Sequence, residues 1–125
     1  MDLNQVSVPT HDLEASIAFY RLLGLRLIVR NDHYARFELP KGDATLSIVK
    51  IDGPMGAGAG IHLSFECNDV DGEVARLKSA GVVFDSGPVD QTWLWREAWL
   101  KDPAGNSLCL YHAGRNRKHP PWRIG

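Results

Sequence analysis

The hydrophobic and polar positions of this chain follow one order of patterns, and that order occurs twice. In the first half, Leu13, Ile17 and Tyr20 recur at the spacing of one buried helix face. Around this helix, short runs of apolar residues, some of them alternating with polar ones, predict four strands. The pattern therefore predicts a β-α-β-β-β unit with its helix at residues 12–23 and its strands at residues 3–8, 25–30, 34–39 and 44–50.

The second half repeats this unit at a constant offset. Asp12 and Asp69 each precede a helical stripe, Gly24 and Gly81 each follow one, and both pairs are 57 positions apart. Aspartate caps helix starts, and glycine suits a left-handed helix end. A structural unit used twice constrains the architecture more than any single residue does. The second unit is predicted from a helix at residues 69–80 and strands at residues 60–67, 82–85, 93–101 and 107–111.

Residues 53–60 (GPMGAGAG) separate the two units, and their composition predicts a flexible linker. Glycine-rich loops also bind nucleotide phosphates, but that fingerprint follows a strand and opens a helix, whereas this run precedes a strand. We therefore expect a single domain over residues 1–113, with modules at residues 3–52 and 60–112, followed by a C-terminal tail at residues 114–125.

The size and charge of the chain narrow the classes of function. A chain of 125 residues fits one domain, and a net charge of −1 provides no basic surface for nucleic acid or a membrane. The sequence contains no long apolar stretch, and its two cysteines, Cys67 and Cys109, make no disulfide framework. We expect a cytoplasmic protein. In its tail, Trp122 is expected to dock on the domain or on another subunit, because an exposed indole gains nothing.

Two polar residues interrupt the apolar strand patterns at equivalent positions. The same offset that relates the helices carries Gln5, in the first strand of the first unit, onto His62, in the first strand of the second. Symmetry-related positions that both break a pattern are candidates for a site. Of all positions, His62 is the strongest candidate.

Three motifs resemble one family. They are VSVPTHDLEASIAFYRLLGL at residues 6–25, GIHLSFECNDVD at residues 60–71 and KDPAGNSLCLY at residues 101–111. Together they resemble the glyoxalase/bleomycin-resistance/dioxygenase superfamily, the vicinal oxygen chelate proteins, over residues 3–112. The resemblance implies an α+β fold of two βαβββ modules that form a cupped mixed sheet. It places the helices on the convex face and a ligand cavity on the concave face.

The resemblance also implies where a metal would bind. Many members coordinate a divalent metal through the first and last strands of each module, and the matching positions are Gln5, Ser47, His62 and Cys109. Gln5 and His62 suit a metal, but Ser47 and Cys109 replace carboxylates, and they are poor ligands for hard or borderline cations. We predict a site without the full metal set. A divalent metal at Gln5 and His62 is the alternative.

Strand alternation predicts which other side chains share the inner face with these positions. Phe37, Leu46 and Ile48 are apolar and are assigned to the core. The residues directly before and after them in each strand are therefore expected to face the ligand. The resemblance adds the Trp95, Glu97 and Trp99 positions. The side chains predicted to contact a ligand are Gln5, Tyr34, Arg36, Glu38, Ser47, Trp95, Trp99, Cys109 and Tyr111.

Glu97 and His62 are the catalytic candidates. Glu97 lies between Trp95 and Trp99, and a carboxylate flanked by two indoles is partly desolvated, which suits a general base. The simpler interpretation is an ion pair with Arg36 and no chemistry. For His62, the alternative to a ligand contact is a core histidine with satisfied hydrogen bonds.

These observations support two hypotheses about function. The leading one is a protein that holds a small, partly aromatic organic molecule in the cup without the full metal site. The alternative is a metal-dependent lyase, isomerase or extradiol-type dioxygenase, for which a divalent metal is the candidate cofactor. A homodimer is expected, because the family usually completes its cups from two modules and because Trp93, Trp95 and Trp99 leave an apolar rim.

Overall fold

The fold consists of two four-stranded sheets, each with one helix. The computed structural model describes residues 1–54 and 61–125, so the predicted linker at residues 53–60 lies mostly outside the described residues. The predicted pair of βαβββ modules is confirmed. The chain divides into two compact units, Met1–Gly60 with Asp102–Asn106 and Ile61–Lys101 with Ser107–Gly125.

The first unit runs strand, helix and three strands. Its elements are β1 (Gln5–Thr10), α1 (Leu13–Leu22), β2 (Arg26–Arg30), β3 (Tyr34–Glu38) and β4 (Thr45–Lys50). The sheet order is β1-β4-β3-β2, with β1 parallel to β4 and the other neighbours antiparallel. As predicted, Asp12 caps α1 by accepting the N–H of Ala15 at 3.0 Å, and Gly24 continues past the helix end with φ 100°.

The core of the first unit lies between α1 and one face of its sheet. Phe37, Leu46 and Ile48 are at most 1% exposed, and the Tyr20 ring of α1 lies 5.9 Å from the Phe37 ring. Each such side chain contributes about 2 kcal/mol when it is fully buried. Because these positions point toward the helix, strand alternation turns the polar residues between them to the opposite face.

The second unit repeats the same order. Its elements are β5 (His62–Glu66), α2 (Val70–Ser79), β6 (Phe84–Asp90), β7 (Arg96–Lys101) and β8 (Ser107–His112). The sheet order is β5-β8-β7-β6, again with only the first pair parallel. Asp69 caps α2 through the N–H of Gly72, and Val74 and Leu77 bury the inner side of the helix.

Two strands of this sheet differ from the sequence prediction. β6 was expected at residues 82–85 but extends from Phe84 to Asp90, and β7 begins at Arg96 rather than at Trp93. β6 is an edge strand with two register shifts against β7. Edge strands with bulges tolerate glycine and proline, so Gly87 and Pro88 do not end the strand as the pattern suggested.

The C-terminal tail begins packed and ends exposed. Glu66 accepts the N–H groups of Ala113 and Gly114, both at 2.7 Å, and a short 3₁₀ helix follows at Gly114–Arg117. Trp122 is 57% exposed, so the expectation that it docks on its own domain is wrong. Residues 121–125 around this indole are all exposed. Docking of Trp122 on another subunit stays a prediction. No helix among the described residues has the length and apolar character needed to cross a membrane.

Candidate functional site

A hydrogen-bonded group of polar side chains lies on the sheet face of the first unit that is turned away from α1. Ser47 is completely buried, and its hydroxyl accepts Nε2–H of Gln5 at 2.5 Å and shares a 2.5 Å hydrogen bond with the Tyr34 hydroxyl. Arg36 donates from Nε to the Tyr34 oxygen at 2.8 Å. We name this group the serine cluster; its members are Gln5, Tyr34, Arg36, Thr45 and Ser47.

Strand register explains why these residues meet. Ser47 of β4 is the register partner of Ser7 on one side and of Arg36 on the other, and Gln5 is opposite Thr45. Glu38 lies on the same face, where its carboxylate is 3.7 Å from the Arg26 guanidinium. The sequence predicted that Gln5, Tyr34, Arg36, Glu38 and Ser47 share a face, and register places them so.

Two hydrogen bonds within the serine cluster change the acidity of the Tyr34 phenol. The hydrogen bond from Ser47, and then that from Arg36, lowers the pKa of Tyr34 below its usual value. The Arg36 guanidinium also lies 5.4 Å from the centre of the Tyr34 ring. Gln5 uses its own carbonyl oxygen to accept from Thr45, so both ends of its amide are already bonded.

The equivalent face of the second unit is aromatic. The Trp95 ring stacks on the Tyr111 ring at 4.5 Å with an interplanar angle of 19°, and the Trp99 ring meets the His62 ring edge-on at 4.9 Å. His62 is exposed, and among the described residues its ring nitrogens have no hydrogen-bond partner. This histidine is therefore available to a ligand.

A buried carboxylate organises these aromatic rings. Glu97 is 5% exposed; its Oε2 accepts the indole N–H of Trp93 at 2.7 Å, and its Oε1 accepts that of Trp99 at 3.1 Å. Arg36, the alternative partner predicted for Glu97, lies in the first unit and donates to Tyr34. We name the whole group the tryptophan cluster; its members are His62, Trp93, Trp95, Glu97, Trp99 and Tyr111.

Trp93 was predicted to lie on the apolar rim beside Trp95 and Trp99, but not to contact Glu97 or the ligand. It lies in the turn before β7 rather than in the strand. The turn is closed by hydrogen bonds from Gln91 N–H to Trp95 O at 2.8 Å and from Leu94 N–H to Gln91 O at 3.1 Å. Leu94 has φ 67° and is the only described non-glycine residue with a positive φ. Such a conformation costs about 1 kcal/mol and is concentrated at functional sites. The sequence signal for this contact was the spacing of two residues between positions 93, 95, 97 and 99, which places alternate residues of an extended chain on the same side.

Cys109 lies under this aromatic face as part of the core. It is 2% exposed and forms a cluster with Tyr111 and Ala113, against which Trp95 and Trp99 pack. Burial, and then the nearby Glu97 carboxylate, raises the pKa of the Cys109 thiol to about 12. A metal ligand must be a thiolate, so this thiol is a poor ligand at neutral pH.

The residues at the expected metal positions therefore do not fit a divalent cation. In the first unit, the Ser47 hydroxyl and the Gln5 amide are bonded to each other and to their neighbours. In the second unit, Cys109 holds its proton and His62 is the remaining donor. The described residues contain no group of three or more His, Cys, Asp and Glu side chains placed to hold a metal ion. We derive no chemistry through a metal.

Comparison with known proteins identifies the family. Residues 2–110 match the model of the Glyoxalase/Bleomycin resistance protein/Dioxygenase superfamily. The chain belongs to this superfamily. The resemblance predicted from the sequence motifs is confirmed. A relative from Mycolicibacterium smegmatis, described as an uncharacterized protein, is 30% identical over 112 residues, which is 88% of this chain and 92% of that protein.

Solved structures of the superfamily share the fold. A glyoxalase/bleomycin resistance protein/dioxygenase from Nocardioides matches with a TM-score of 0.80 and 24% identity, covering 100% of this chain and 90% of the other. A bleomycin-binding protein in complex with bleomycin matches with a TM-score of 0.70 and 24% identity, covering 90% of this chain and 98% of the other. At these identities the similarity establishes the fold alone.

Proposed function

We propose that this protein binds a small, partly aromatic organic molecule on the aromatic face of its second unit, without a resident metal. The observation that carries the proposal is the buried Glu97 carboxylate, which fixes the Trp93 and Trp99 indoles through their N–H groups. Aromatic rings held in one orientation offer contact area at a small entropic cost. Binding without turnover is in keeping with a superfamily that includes a bleomycin-binding protein.

Individual roles follow from the contacts. We assign Trp95 and Trp99 to stacking on the ligand, with the buried Tyr111 ring supporting Trp95, and His62 to hydrogen bonding or proton exchange with the polar group of the ligand. Glu97 was a candidate general base, but both of its oxygens already accept indole N–H groups. We therefore propose that it positions the rings and that any catalytic step depends on His62.

For the first unit we propose polar contacts to a ligand through the serine cluster. Arg36 and Gln5 are exposed and Tyr34 is half-buried, so all three can reach a ligand. The buried Ser47 hydroxyl supports Gln5 and Tyr34 through hydrogen bonds of 2.5 Å. Glu38 adds a carboxylate on the same face.

The alternative remains a metal-dependent lyase, isomerase or extradiol-type dioxygenase. The observation in its favour is His62, an exposed imidazole at the ligand position with unbonded nitrogens in the described structure. A metal there would need further oxygen or nitrogen ligands to complete its shell.

Metal dependence separates the two functions. Protein purified without chelator and analysed by mass spectrometry for divalent ions should contain far less than one equivalent. Titration with a panel of aromatic acids, alcohols and amines should quench tryptophan fluorescence equally before and after EDTA treatment. A stoichiometric ion that disappears in His62→Ala, together with quenching that returns only when Zn²⁺ or Ni²⁺ is added, would favour the enzyme.

We further propose a cytoplasmic homodimer. The end of β6 and the turn that follows expose Val89 by 51% and Leu94 by 48%, an apolar surface that a second copy could cover while the Trp93 ring stays open to a ligand. Both cysteines are free, as expected in a reducing compartment. Light scattering at micromolar concentration should give twice the 13.9 kDa chain mass, and cell fractionation should recover the protein in the cytosol. A monomeric mass would contradict the dimer.

A further inference from the structure

The Glu97 carboxylate is buried without a cation to balance it. Among the described residues, its hydrogen-bond partners are the neutral indole N–H groups of Trp93 and Trp99. Among the described residues of the same sheet, Arg96 pairs with Asp71 and Asp90, and Lys101 pairs with Asp85. His112 lies beside Glu66, and the His62 ring meets the Trp99 ring rather than the carboxylate of Glu97. A buried carboxylate is stable only when its charge is compensated, and two neutral donors do so in part.

The same hydrogen bonds prepare the indole rings to receive a cation. An indole carries negative potential on its ring faces, and a cation over such a face is attracted by it. An indole that donates its N–H to a carboxylate shifts electron density onto the ring, which strengthens this attraction. Trp93 remains 45% exposed and Trp99 is half-buried, so ring surface is open to a ligand.

We propose that the tryptophan cluster selects an organic cation, a quaternary or protonated amine carried on a small aromatic molecule. This inference rests on the proposed function, since it names the ligand class of that same face. The ammonium group lies over the Trp93 and Trp99 rings, near enough to Glu97 to complete the neutralisation of its charge. The aromatic part of the ligand stacks on Trp95, whose ring is supported by the buried Tyr111 ring.

Two probes of the same shape test the charge alone. (meta-Hydroxyphenyl)trimethylammonium and meta-tert-butylphenol differ only by the replacement of the cationic nitrogen with carbon. Isothermal titration calorimetry on the full-length protein should show the cation binding about tenfold more tightly. Glu97→Gln should reduce that ratio to about one. Asp85→Asn, which removes an exposed carboxylate paired with Lys101, should leave the ratio unchanged.

The outcomes distinguish the inference from the proposed function. Equal affinity for the two probes in the wild-type protein overturns the selection of a cation while leaving small-molecule binding intact. Tighter binding of the neutral phenol does the same. If neither probe binds but other members of the aromatic panel do, the cation proposal also fails. If Glu97→Gln does not fold, Trp99→Phe provides the test, because it keeps an aromatic ring but loses the N–H donor. The affinity ratio of the cationic to the neutral probe should be smaller in Trp99→Phe than in the wild-type protein. An unchanged ratio contradicts the role of the indole N–H.

Discussion

Replacing Asp102 with alanine should lower the free energy of unfolding by about 4 kcal/mol, the largest stability effect we expect from one surface-loop position. Asp102 is 5% exposed, and its carboxylate accepts four hydrogen bonds. The donors are Ala104 N–H at 3.0 Å, Asn106 N–H at 2.8 Å, Asn106 Nδ2–H at 2.7 Å and the Tyr20 hydroxyl at 2.7 Å. Removing the acceptor leaves buried donors unsatisfied, each at a cost of about 1–3 kcal/mol before the turn relaxes.

Tyr20→Phe provides the matched control for this prediction, because it removes a single hydrogen bond from the same network. Its cost should be about 1–2 kcal/mol. Burial, and then the Asp102 carboxylate, raises the pKa of Tyr20 well above its usual range. As the pH rises, the Tyr20 phenol ionises in the unfolded protein before it does so in the folded protein. The contribution of the buried phenol to the free energy of unfolding is therefore complete below pH ~10 and is lost as the pH rises beyond that value. Tyr20→Phe should therefore reduce the loss of stability at alkaline pH.

Urea unfolding followed by circular dichroism measures both variants at neutral and alkaline pH. Asp102→Ala within about 1 kcal/mol of the wild type would show that the turn reorganises without this acceptor, and the hydrogen-bond account of residues 102–106 would be wrong. An identical pH response of Tyr20→Phe and the wild type would contradict the role of the phenol.

Trp99→Ala should weaken the binding of an aromatic ligand by at least about tenfold, the largest functional effect of the tryptophan cluster. The substitution removes a ring that contacts His62 at 4.9 Å and one of the two N–H donors to Glu97. It therefore also leaves Oε1 of a buried carboxylate without a partner and releases the orientation of Trp93. Calorimetric titration with the tightest member of the aromatic panel measures the loss.

Trp122→Ala is the control for that substitution. Trp122 is 57% exposed in the C-terminal tail, and among the described residues no ring contact or side-chain hydrogen bond joins it to the tryptophan cluster. Its removal should change the affinity by less than about twofold. Equal losses in the two variants would show that the tail contributes to binding and would remove the special role of Trp99.

Much of the fold could be predicted because its signals are local. The helix caps at Asp12 and Asp69 and the glycines that follow each helix appear in the sequence at one offset, and the structure places all four where the pattern indicates. Strand alternation also assigned the members of the serine cluster to one face, since the period of two along a strand leaves little choice. Family motifs then specified the order of the strands.

The remaining features depend on geometry that a pattern does not contain. The left-handed conformation of Leu94 and the turn it closes bring the Trp93 indole to Glu97, whereas alternation predicted a strand. The role of Glu97 changed for the same reason: its neighbours in sequence indicated desolvation, but only the positions of two indole N–H groups show that both oxygens are occupied. The exposure of Trp122 depends on whether the domain surface near the tail has an apolar site for the indole, and the local sequence does not contain that information.

The central claim, that the tryptophan cluster is the ligand site and needs no metal, is tested most directly by the indole N–H resonances of EDTA-treated protein. The sequence contains four tryptophans, so a ¹⁵N-labelled sample gives four such signals, assigned by substitution. Titration with (meta-hydroxyphenyl)trimethylammonium or the tightest aromatic of the panel should shift the Trp93, Trp95 and Trp99 signals together and leave Trp122 unmoved. Shifts confined to Trp122, or none from the cluster while calorimetry reports binding, would contradict the account.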